Sequence, residues 1–267
     1  MKITTWNINS VRLRLPSLQR VVETISPDII CLQEIKVVTE LFPYKDIAAL
    51  GYPHQAVSGM KGYNGVAILS RLPLTEIGTK NWCGREDCRH IFATVECRDL
   101  GPLEIHNFYV PAGGDIPDPK VNEKFGHKLK FLDEVAAWQK NLGEGGDNRV
   151  LVGDINIAPL ETDVWSHKQL QKVVSHTPVE IMALNKLQAA GPWVDAIREV
   201  IPREELIFSW WSYRSKDWTV NNRGRRLDHI WVTEALRNKI VDADILRDAR
   251  SWEKPSDHVP VTLTLKI

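Results

Sequence analysis

The sequence predicts a mixed α/β fold in which sheets that contain antiparallel strands are flanked by helices. Short apolar runs recur from one end of the 267-residue chain to the other, which is the pattern of strands. Helical patterns are too few to lie between every pair of these strands, so an all-parallel sheet is not expected. We find no repeat of fixed period and no low-complexity tract, and we expect residues 1–267 to form a single domain.

The predicted strands are short runs in which β-branched, aromatic and other apolar residues are frequent. They are Lys2–Trp6, Asp28–Leu32, Gly65–Leu69, Ile91–Glu96, Leu103–Val110, Arg149–Val152, Leu227–Val232, Val241–Leu246 and Val259–Leu265. Each begins and ends near polar residues, glycine or proline, as strands of layered folds do.

Three segments between these strands have the apolar spacing of helices. The first spans residues 15–25, with Pro16 near its start and Ser26-Pro27 as its stop. The second spans Lys128–Leu142 and ends at Gly143. The third opens on the capping box Thr177-Pro178-Val179-Glu180 and runs to Gly191. The Pro/Gly-rich stretch Pro111–Pro119 is interpreted as a surface or active-site loop within the domain.

Composition describes a folded, electrically neutral protein. Lys+Arg number 34 and Asp+Glu number 34, while 43% of the residues are hydrophobic, which excludes a disordered chain. Neutrality removes the usual argument for a nucleic-acid partner, so any DNA-binding charge must be local. Tryptophan is unusually abundant: the chain has 10 tryptophans, 6 phenylalanines and 5 tyrosines.

The cysteines and the N-terminus predict a cytoplasmic protein with reduced thiols. The first residues do not combine a basic segment with a long apolar one, and no run reaches the roughly 20 apolar residues of a membrane span. Cys31 lies in an apolar run and is expected in the core. Cys83 and Cys88 resemble half of a zinc site, but no second pair follows, so free thiols are favoured.

Polar residues follow or precede many of the predicted strands at their ends. Asn7 and Asn9, Glu34, Tyr109, and Asp154 with Asn156 lie at the ends of strands, whereas Asp228 and Asp257-His258 lie at the beginnings. If these residues meet at one edge, the later strands must run opposite to the earlier ones.

Each of these residues has an ordinary structural interpretation when taken alone. Glu34 is typical of a solvated surface carboxylate, Asn7 and Asn9 of turn formers, and Gly153-Asp154 of a turn with an Asx hydrogen bond. Together they supply the oxygen ligands that Mg²⁺ prefers, and no cluster of His or Cys residues points to zinc.

The motifs resemble those of the exonuclease III family of abasic-site endonucleases, within the endonuclease/exonuclease/phosphatase superfamily. The matching strings run in the family's order from residue 6 to residue 258. They are Trp6-Asn7-Ile8-Asn9, Leu32-Gln33-Glu34-Ile35-Lys36, Asn64-Gly65-Val66-Ala67-Ile68, Asn107-Phe108-Tyr109-Val110-Pro111, Gly153-Asp154-Ile155-Asn156, Asn222-Arg223-Gly224-Arg225-Arg226-Leu227-Asp228 and Ser256-Asp257-His258. The resemblance implies a two-layer β-sheet sandwich flanked by helices, the DNase I-like fold, with the active site at one edge.

The resemblance also implies a role for each polar residue. Glu34 is the principal ligand of Mg²⁺, with Mn²⁺ as an alternative, and Asn9, Asp257 and Asn7 stand where a further metal or its water is held. Asp154 orients or deprotonates the attacking water. Asn156 and Asn7 donate hydrogen bonds to phosphate oxygens and position Asp154. Tyr109 donates to the phosphate or the leaving oxygen, and His258 contacts the phosphate, with Asp228 accepting a hydrogen bond from its other ring nitrogen.

The activity implied is hydrolysis of the phosphodiester bond 5′ to an abasic site, leaving a 3′-hydroxyl. Family members also remove nucleotides and blocking groups from 3′ ends, so the expected partner is double-stranded DNA with abasic sites or blocked 3′ ends, bound by a monomer.

A basic and aromatic segment is the candidate DNA-binding surface. It contains Arg214, Lys216, Arg223 and Arg225 interleaved with aromatic residues, which suits phosphate contact and stacking. By family position Trp210, Leu227 and Phe208 wall a pocket for an extrahelical abasic sugar. Lys61, Tyr63 and Asn64 are further candidates for backbone contact.

Two other functions compete with this interpretation. Another phosphoesterase of the superfamily, acting on inositol phosphates or lipids, would keep the motifs at residues 153–156 and 256–258 but leave the basic and aromatic segment without a purpose. A non-catalytic binding protein is disfavoured because every catalytic-type position holds a chemically competent residue.

Overall fold

Two six-stranded sheets form the centre of the protein in the computed structural model, which describes residues 1–140, 148–215 and 217–267. The strands are β1 (Lys2–Asn7), β2 (Ile29–Gln33), β3 (His54–Ser58), β4 (Val66–Ser70), β5 (Leu74–Thr79), β6 (His90–Cys97), β7 (Gly101–Tyr109), β8 (Asn148–Asp154), β9 (Trp193–Asp195), β10 (Trp210–Trp211), β11 (Gly224–Arg225), β12 (Asp228–Thr233), β13 (Ile240–Ile245) and β14 (Val261–Leu265). The helices are α1 (Leu15–Ile25), α2 (Tyr44–Ala49), α3 (Glu123–Gln139), α4 (His167–Leu170), α5 (Pro178–Ala189), α6 (Ala196–Val200) and α7 (Trp218–Asn221). Short 3₁₀ helices lie at Thr39–Leu41, Glu161–Asp163, Glu234–Lys239 and Arg247–Ser251.

Both sheets are mixed, as the sequence predicts. The first has the order β13-β14-β1-β2-β4-β3 and the second the order β5-β6-β7-β8-β12-β9. Only β1 with β2 and β7 with β8 are parallel among the described strand pairs. Strand β14 runs antiparallel to β1 and strand β12 antiparallel to β8, with Asp228 opposite Asp154. The expected reversal of the later strands is therefore confirmed.

Every predicted strand is present, and the strands that the sequence analysis missed are short or lie at sheet edges. Strands β3, β5 and β9 are edge strands, and β10 and β11 form a separate two-stranded sheet. In β5 most residues are half-buried or exposed, and the pairing with β6 is irregular. Edge strands bury less of their surface, so their sequences lack a clear apolar alternation.

Two of the three predicted helices differ from expectation at their ends. Helix α3 begins at Glu123 rather than Lys128, because the side chain of Asn122 accepts a hydrogen bond from the Lys124 backbone N–H and caps it. The predicted end of this helix, at Leu142 and Gly143, lies outside the described residues. The capping box of Thr177 and Glu180 opens α5 as predicted, and this helix ends at Ala189.

The main core lies between the two sheets and is built from alternate residues of each strand. Ile3 of β1 and Val150 of β8 belong to this one apolar cluster, together with the Cys31 thiol expected in the core. The outer face of the first sheet packs against α1, and that of the second against α3 and α5.

The alternation along the strands carries polar side chains into the space between the sheets at one end. In β1, Asn7 lies on the same face as Ile3, and in β8, Asp154 lies on the same face as Val150. In β12 the first residue, Asp228, shares its face with Ile230. These three side chains therefore converge at one edge of the apolar core.

The buried histidine His229 should make the protein less stable in acid. Its Nε2 lies 2.8 Å from the Ile157 carbonyl oxygen, and burial, reinforced by nearby Arg226, lowers the pKa of His229 to about 4. Between pH 6.5 and 4, His229 is therefore protonated in the unfolded chain but neutral in the folded chain. The free energy of unfolding thus falls as the pH falls through this range. We expect His229 to contribute about 3 kcal/mol to this loss. Urea unfolding at pH 7 and pH 4.5 should show a shallower decline for His229→Gln, and equal declines would contradict the assignment.

Candidate active site

A cleft of about 610 Å³ opens where the polar strand ends meet. One side is polar and contains the predicted carboxylates, and the other side is mainly apolar with arginines at its rim. The polar lining includes Glu34, Tyr109, Asp154, Asn156, Asp257 and His258. The cleft therefore gathers residues that are separated by more than 200 positions in the sequence.

Asp154 lies at the floor of the cleft, and only 1% of its surface is exposed. Its Oδ2 accepts a hydrogen bond of 2.9 Å from Asn7 Nδ2, and its Oδ1 accepts one of 3.0 Å from the Asn156 backbone N–H. The preceding Gly153 is required here because a Cβ at this position would lie 1.9 Å from the Phe108 carbonyl oxygen. Gly153-Asp154 is thus the end of a buried strand and not a turn.

His258 is held between two carboxylates. Its Nδ1 lies 2.8 Å from Asp228 Oδ2, and its Nε2 lies 3.6 Å from Asp154 Oδ2. The Ser209 hydroxyl donates a second hydrogen bond, of 2.6 Å, to the same Asp228 oxygen. The structure thus brings Asp154, His258 and Asp228 together, and it adds Ser209, which the sequence analysis did not identify.

Burial and charge shift the pKa values of this group in opposite directions. Burial opposes the charged imidazole, but the carboxylates of Asp228 and Asp154 more than compensate and raise the pKa of His258 to about 10. Burial is also the main reason that the pKa of Asp154 rises to about 7, with Asp228 adding to the rise and His258 opposing it. His258 is therefore a cationic donor at neutral pH, and Asp154 is a carboxylate able to accept a proton.

Glu34 lies beside this group in a left-handed backbone conformation, with φ of 49°. Its Oε1 accepts hydrogen bonds from Asn7 Nδ2 at 2.9 Å and from the Tyr109 hydroxyl at 2.8 Å. Its Oε2 lies 2.8 Å from Lys36 Nζ. Burial raises the pKa of Glu34, but the Asn7 hydrogen bond and the Lys36 ammonium outweigh it, so the pKa lies below its usual value. Glu34 is therefore a carboxylate held in its charged form.

Asn7 contacts Asp154, as expected, but has no free amide hydrogen for a phosphate. It is fully buried, and its amide nitrogen already donates to both Glu34 and Asp154. An amide nitrogen carries two hydrogens, so none remains for phosphate. Asn7 lies behind the cleft wall, where it orients the two carboxylates.

Asn9 and Asp257 continue the polar wall beyond Glu34. Asn9 Oδ1 accepts a hydrogen bond of 2.6 Å from Lys36 Nζ, and Asn9 Nδ2 donates one of 3.1 Å to Asp257 Oδ1. The indole Nε1 of Trp210 donates to Asp257 Oδ2 at 3.0 Å. Lys36 belongs to one of the motifs that carry the resemblance, but its contact with two of the predicted metal ligands, Glu34 and Asn9, was not anticipated.

The donor set around Lys36 fits a hard cation. The Lys36 ammonium bridges a carboxylate oxygen of Glu34 and the amide oxygen of Asn9, so these oxygens already stabilise a positive charge. Asp154, Asp228 and His258 also lie within 4.8 Å of one another and have the residue types of a metal site. However, a protonated imidazole has no lone pair to offer, so that cluster is suited to hydrogen bonding, and the oxygens of Glu34 and Asn9 are the candidate donors for a cation.

A buried amide pair joins the two sheets beneath the site. Gln33 Nε2 in β2 donates a hydrogen bond of 2.7 Å to Asn107 Oδ1 in β7, and Asn107 Nδ2 donates to the carbonyl oxygens of Leu32 and Ala67. Both residues are fully buried. In the sequence, the sign of such a pair is a polar residue at an inward-facing position of an otherwise apolar strand. The pair links β2 to β7 directly beneath the cleft.

A buried ion pair supports the far side of the cleft. Lys128 of α3 and Glu180 of α5 are fully buried, and Lys128 Nζ lies 2.5 Å from Glu180 Oε1. Lys128 Nζ also donates to the Asn156 carbonyl oxygen at 2.8 Å and to the Ala112 carbonyl oxygen at 3.3 Å. The backbone that follows Asp154 is thus anchored to two helices by one lysine.

The apolar wall contains more residues than the sequence analysis proposed. Trp210 and Leu227 line the cleft, whereas Phe208 packs in a separate cluster with Trp211 and does not belong to the lining in the described part of the chain. The additional wall residues come from the segment between β8 and α5: Trp165, Leu170, Val173 and Val174. Their spacing in the sequence carries no recognisable pattern.

The arginines of the basic segment differ in location and burial. Arg214, Arg223 and Arg225 line the cleft. Arg226 is 1% exposed and forms buried ion pairs with Asp163 and Asp195, so it belongs to the scaffold rather than to the basic surface. Lys216 lies outside the described residues.

The loop between β3 and β4 lies outside the cleft lining. Lys61 is exposed and Tyr63 is 58% exposed, while the Asn64 amide is buried and donates to the Asp87 carbonyl oxygen at 2.9 Å. Asp87 pairs with Arg89, which in turn donates to the carbonyl oxygen of Tyr109. This loop is therefore linked to Tyr109 of the site through Asp87 and Arg89, whereas Lys61 and Tyr63 are exposed to solvent.

A charged imidazole, a buried proton-accepting carboxylate and a second, charged carboxylate meet at the edge of a two-sheet sandwich, an arrangement typical of phosphoesterases that act with a divalent cation. The chain belongs to the Endonuclease/Exonuclease/phosphatase family, whose model matches residues 4–258. It is 35% identical to exodeoxyribonuclease III of Haemophilus influenzae over 275 residues, covering 100% of both chains.

Solved structures are similar over the full length of the chain. An AP endonuclease from Archaeoglobus fulgidus has a TM-score of 0.91 at 32% identity, covering 100% of both chains. The 3′ phosphatase NExo from Neisseria, solved with a product DNA hairpin, has a TM-score of 0.89 at 31% identity, again covering 100% of both. The predicted two-layer sandwich and the resemblance to exonuclease III-type enzymes are thereby confirmed.

Proposed function

We propose that the protein is a metal-dependent DNA repair nuclease that hydrolyses the phosphodiester bond 5′ to an abasic site and leaves a 3′-hydroxyl. The observation that carries the proposal is the position of Asp154, which lies between Asn7 and His258 at the floor of a cleft with an apolar, arginine-rimmed far wall. The names of the relatives, exodeoxyribonuclease III and AP endonuclease, support the same reaction.

In this proposal Asp154 acts on the attacking water and His258 acts on the phosphate. Asp154 Oδ2 takes the proton of the water, since its pKa near 7 allows it to be both charged and basic at neutral pH. The imidazolium of His258 donates from Nε2 to a phosphate oxygen, while Asp228 holds Nδ1 and so fixes the ring. Asn156 orients Asp154 through its backbone N–H, and Tyr109 holds Glu34 and lines the path of the leaving oxygen.

A divalent cation completes the site. Glu34, with Asn9 and Asp257 as further oxygen donors, would hold Mg²⁺ or alternatively Mn²⁺, and the bound ion would neutralise charge on the scissile phosphate. When no ion is bound, the Lys36 ammonium balances the charge of Glu34 and donates a hydrogen bond to the Asn9 amide oxygen.

The substrate we propose is double-stranded DNA with an abasic site or a blocked 3′ end. Arg214 and Arg223 contact its backbone, with Lys216 near them in the sequence, and Trp210, Leu227 and Arg225 surround the extruded sugar or the 3′-blocking group. Exonuclease, 3′-phosphodiesterase and 3′-phosphatase activities follow from the same chemistry. We further propose that the whole chain acts as one domain and one monomer in the cytoplasm; among the described helices, none has both the length and the apolar character that crossing a membrane requires.

Duplex DNA with a single synthetic abasic site tests the proposal. We expect nicking on the 5′ side of the lesion with Mg²⁺ and none with a chelator, and a 3′-hydroxyl that a polymerase extends. Inositol phosphates serve as the competing substrate. Hydrolysis of inositol phosphates without nicking of DNA would overturn the proposal in favour of another phosphoesterase.

Glu34→Gln should raise the Mg²⁺ concentration required for half-maximal nicking by at least about tenfold, since it removes the charge of the principal ligand. A Mg²⁺ titration of nicking rates measures the shift. Glu23→Gln, which removes an exposed carboxylate on α1, is the matched control and should keep the wild-type requirement. An unshifted titration for Glu34→Gln would place the cation elsewhere.

A further inference from the structure

Three residues that face the cleft lie in a row across short antiparallel segments. Trp210 is paired with His258 on one side and with Arg225 on the other. Residues directly opposite one another on antiparallel strands point to the same face, and all three line the cleft. With neighbouring strands about 5 Å apart, the Arg225 backbone lies on the order of 10 Å from that of His258. A group attached to a phosphate at His258 would therefore extend over Trp210 toward Arg225.

The side chain of Arg225 is held in place by the protein. Its Nη1 donates to the Val174 carbonyl oxygen at 2.9 Å and to Ser175 Oγ at 2.7 Å. Its guanidinium carbon lies 5.1 Å from the centre of the Trp210 ring. An arginine fixed in this way loses little freedom when it binds a ligand, so its charge is available at a defined place.

The positive charge of Arg225 is incompletely satisfied. Its Nε is buried without a hydrogen-bond partner, and its Nη2 donates to no residue in the part of the chain that the structure describes. The neighbouring wall is apolar and is made by Leu170, Val174 and Leu227. A partly desolvated charge beside apolar side chains favours an anionic ligand over a neutral one. A neutral abasic sugar would not neutralise the charge of Arg225.

We propose that Arg225 makes this end of the cleft selective for 3′-blocking groups that carry their own negative charge, with a carboxylate as the preferred anion. The inference rests on the proposed nuclease function. In the reaction, the water oxygen bonds to phosphorus and the bond from phosphorus to the 3′-oxygen breaks. The 3′-oxygen takes up a proton, and the blocking group leaves still esterified to the phosphate. Arg225 binds the far end of that group and takes no part in these bond changes.

Two matched substrates test the proposal. Each is a gapped duplex with a 3′-phosphate that is esterified either to glycolate, which carries a carboxylate, or to ethylene glycol, which is neutral and of similar size. We expect wild-type kcat/KM to be about 10- to 100-fold higher for the glycolate ester, the range typical of one hydrogen bond to a charged group. Arg225→Met should bring the ratio close to one, while Arg225→Lys should keep part of the preference.

Arg214→Met is the matched control because Arg214 also lines the cleft but is exposed at its rim, so it should lower both rates without changing their ratio. The wild-type ratio tests the inference even if Arg225→Met fails to fold. Equal wild-type rates on the two esters, or an unchanged ratio in a folded Arg225→Met protein, would overturn the inference and leave the nuclease proposal standing. Cleavage of neither ester, together with an intact abasic duplex, would overturn the nuclease proposal itself.

Discussion

Asp154→Asn should lower kcat/KM for nicking of abasic duplex by about 10²- to 10⁴-fold, the usual contribution of a general base. The substitution removes the carboxylate that accepts the proton of water but keeps the size of the side chain and an acceptor for the Asn156 backbone N–H. The amide cannot accept from Asn7 Nδ2 as well as from the Asn156 N–H, but the substitution also removes a buried carboxylate, so the loss of stability should stay within about 1–3 kcal/mol. Single-turnover rates and a thermal melt of the same protein preparation provide the measurement.

Asp115→Asn is the matched control for this prediction. Asp115 lines the same cleft, so its removal changes the charge of the cleft equally but leaves the contacts of Asp154 intact. We expect its rate to stay close to the wild-type rate. Nicking by Asp154→Asn at the wild-type rate, with normal binding of the duplex, would remove Asp154 from the proposed role of base.

Lys128→Met should lower the free energy of unfolding by about 3–5 kcal/mol, because it leaves the carboxylate of Glu180 buried without its countercharge. It also removes the hydrogen bonds from Lys128 Nζ to the backbone of Ala112 and Asn156. Urea unfolding at neutral pH measures the loss. Lys130→Met, on the exposed side of the same helix, should change stability by no more than about 0.5 kcal/mol.

The double variant Lys128→Met/Glu180→Gln separates the ion pair from the packing of the methylene groups. It removes both charges, so it should be more stable than Lys128→Met alone, and the difference measures the cost of the unpaired carboxylate. If the double variant's loss relative to the wild type equals the sum of the losses of Lys128→Met and Glu180→Gln, the two residues act independently.

The strands that carry the site were predictable because they are buried on both faces. β1, β2, β8 and β12 are buried along their whole length or nearly so, and buried strands require continuous apolar runs. The polar residue at the end of such a run, for example Glu34 or Asp154, stands out against them. Motif order then indicated the phosphoesterase chemistry before any contact was known.

Other parts of the site depend on long-range contacts that cannot be recognised from the local sequence. The apolar wall at Trp165 and Val174 comes from an irregular segment, whose position is decided by hydrogen bonds to distant residues, such as that of the Trp165 backbone N–H with Gly224. Likewise, Arg225 and Arg226 are adjacent in the sequence, yet Arg226 is buried in ion pairs and Arg225 lines the cleft. Arg225 is the last residue of the short strand β11, which was not predicted.

The sequence by itself determined the mixed α/β class, the neutral charge and the set of residue types needed for cation-assisted phosphoester chemistry. Only the tertiary structure decided which of these side chains contact one another. It showed that Asn7 donates to Glu34 as well as to Asp154 and has no amide hydrogen left for phosphate, and it placed Lys36 between two candidate ligands. The physical reason is that burial and hydrogen-bond partners arise from residues far apart in the chain, whereas local patterns report only the periodicity of each element.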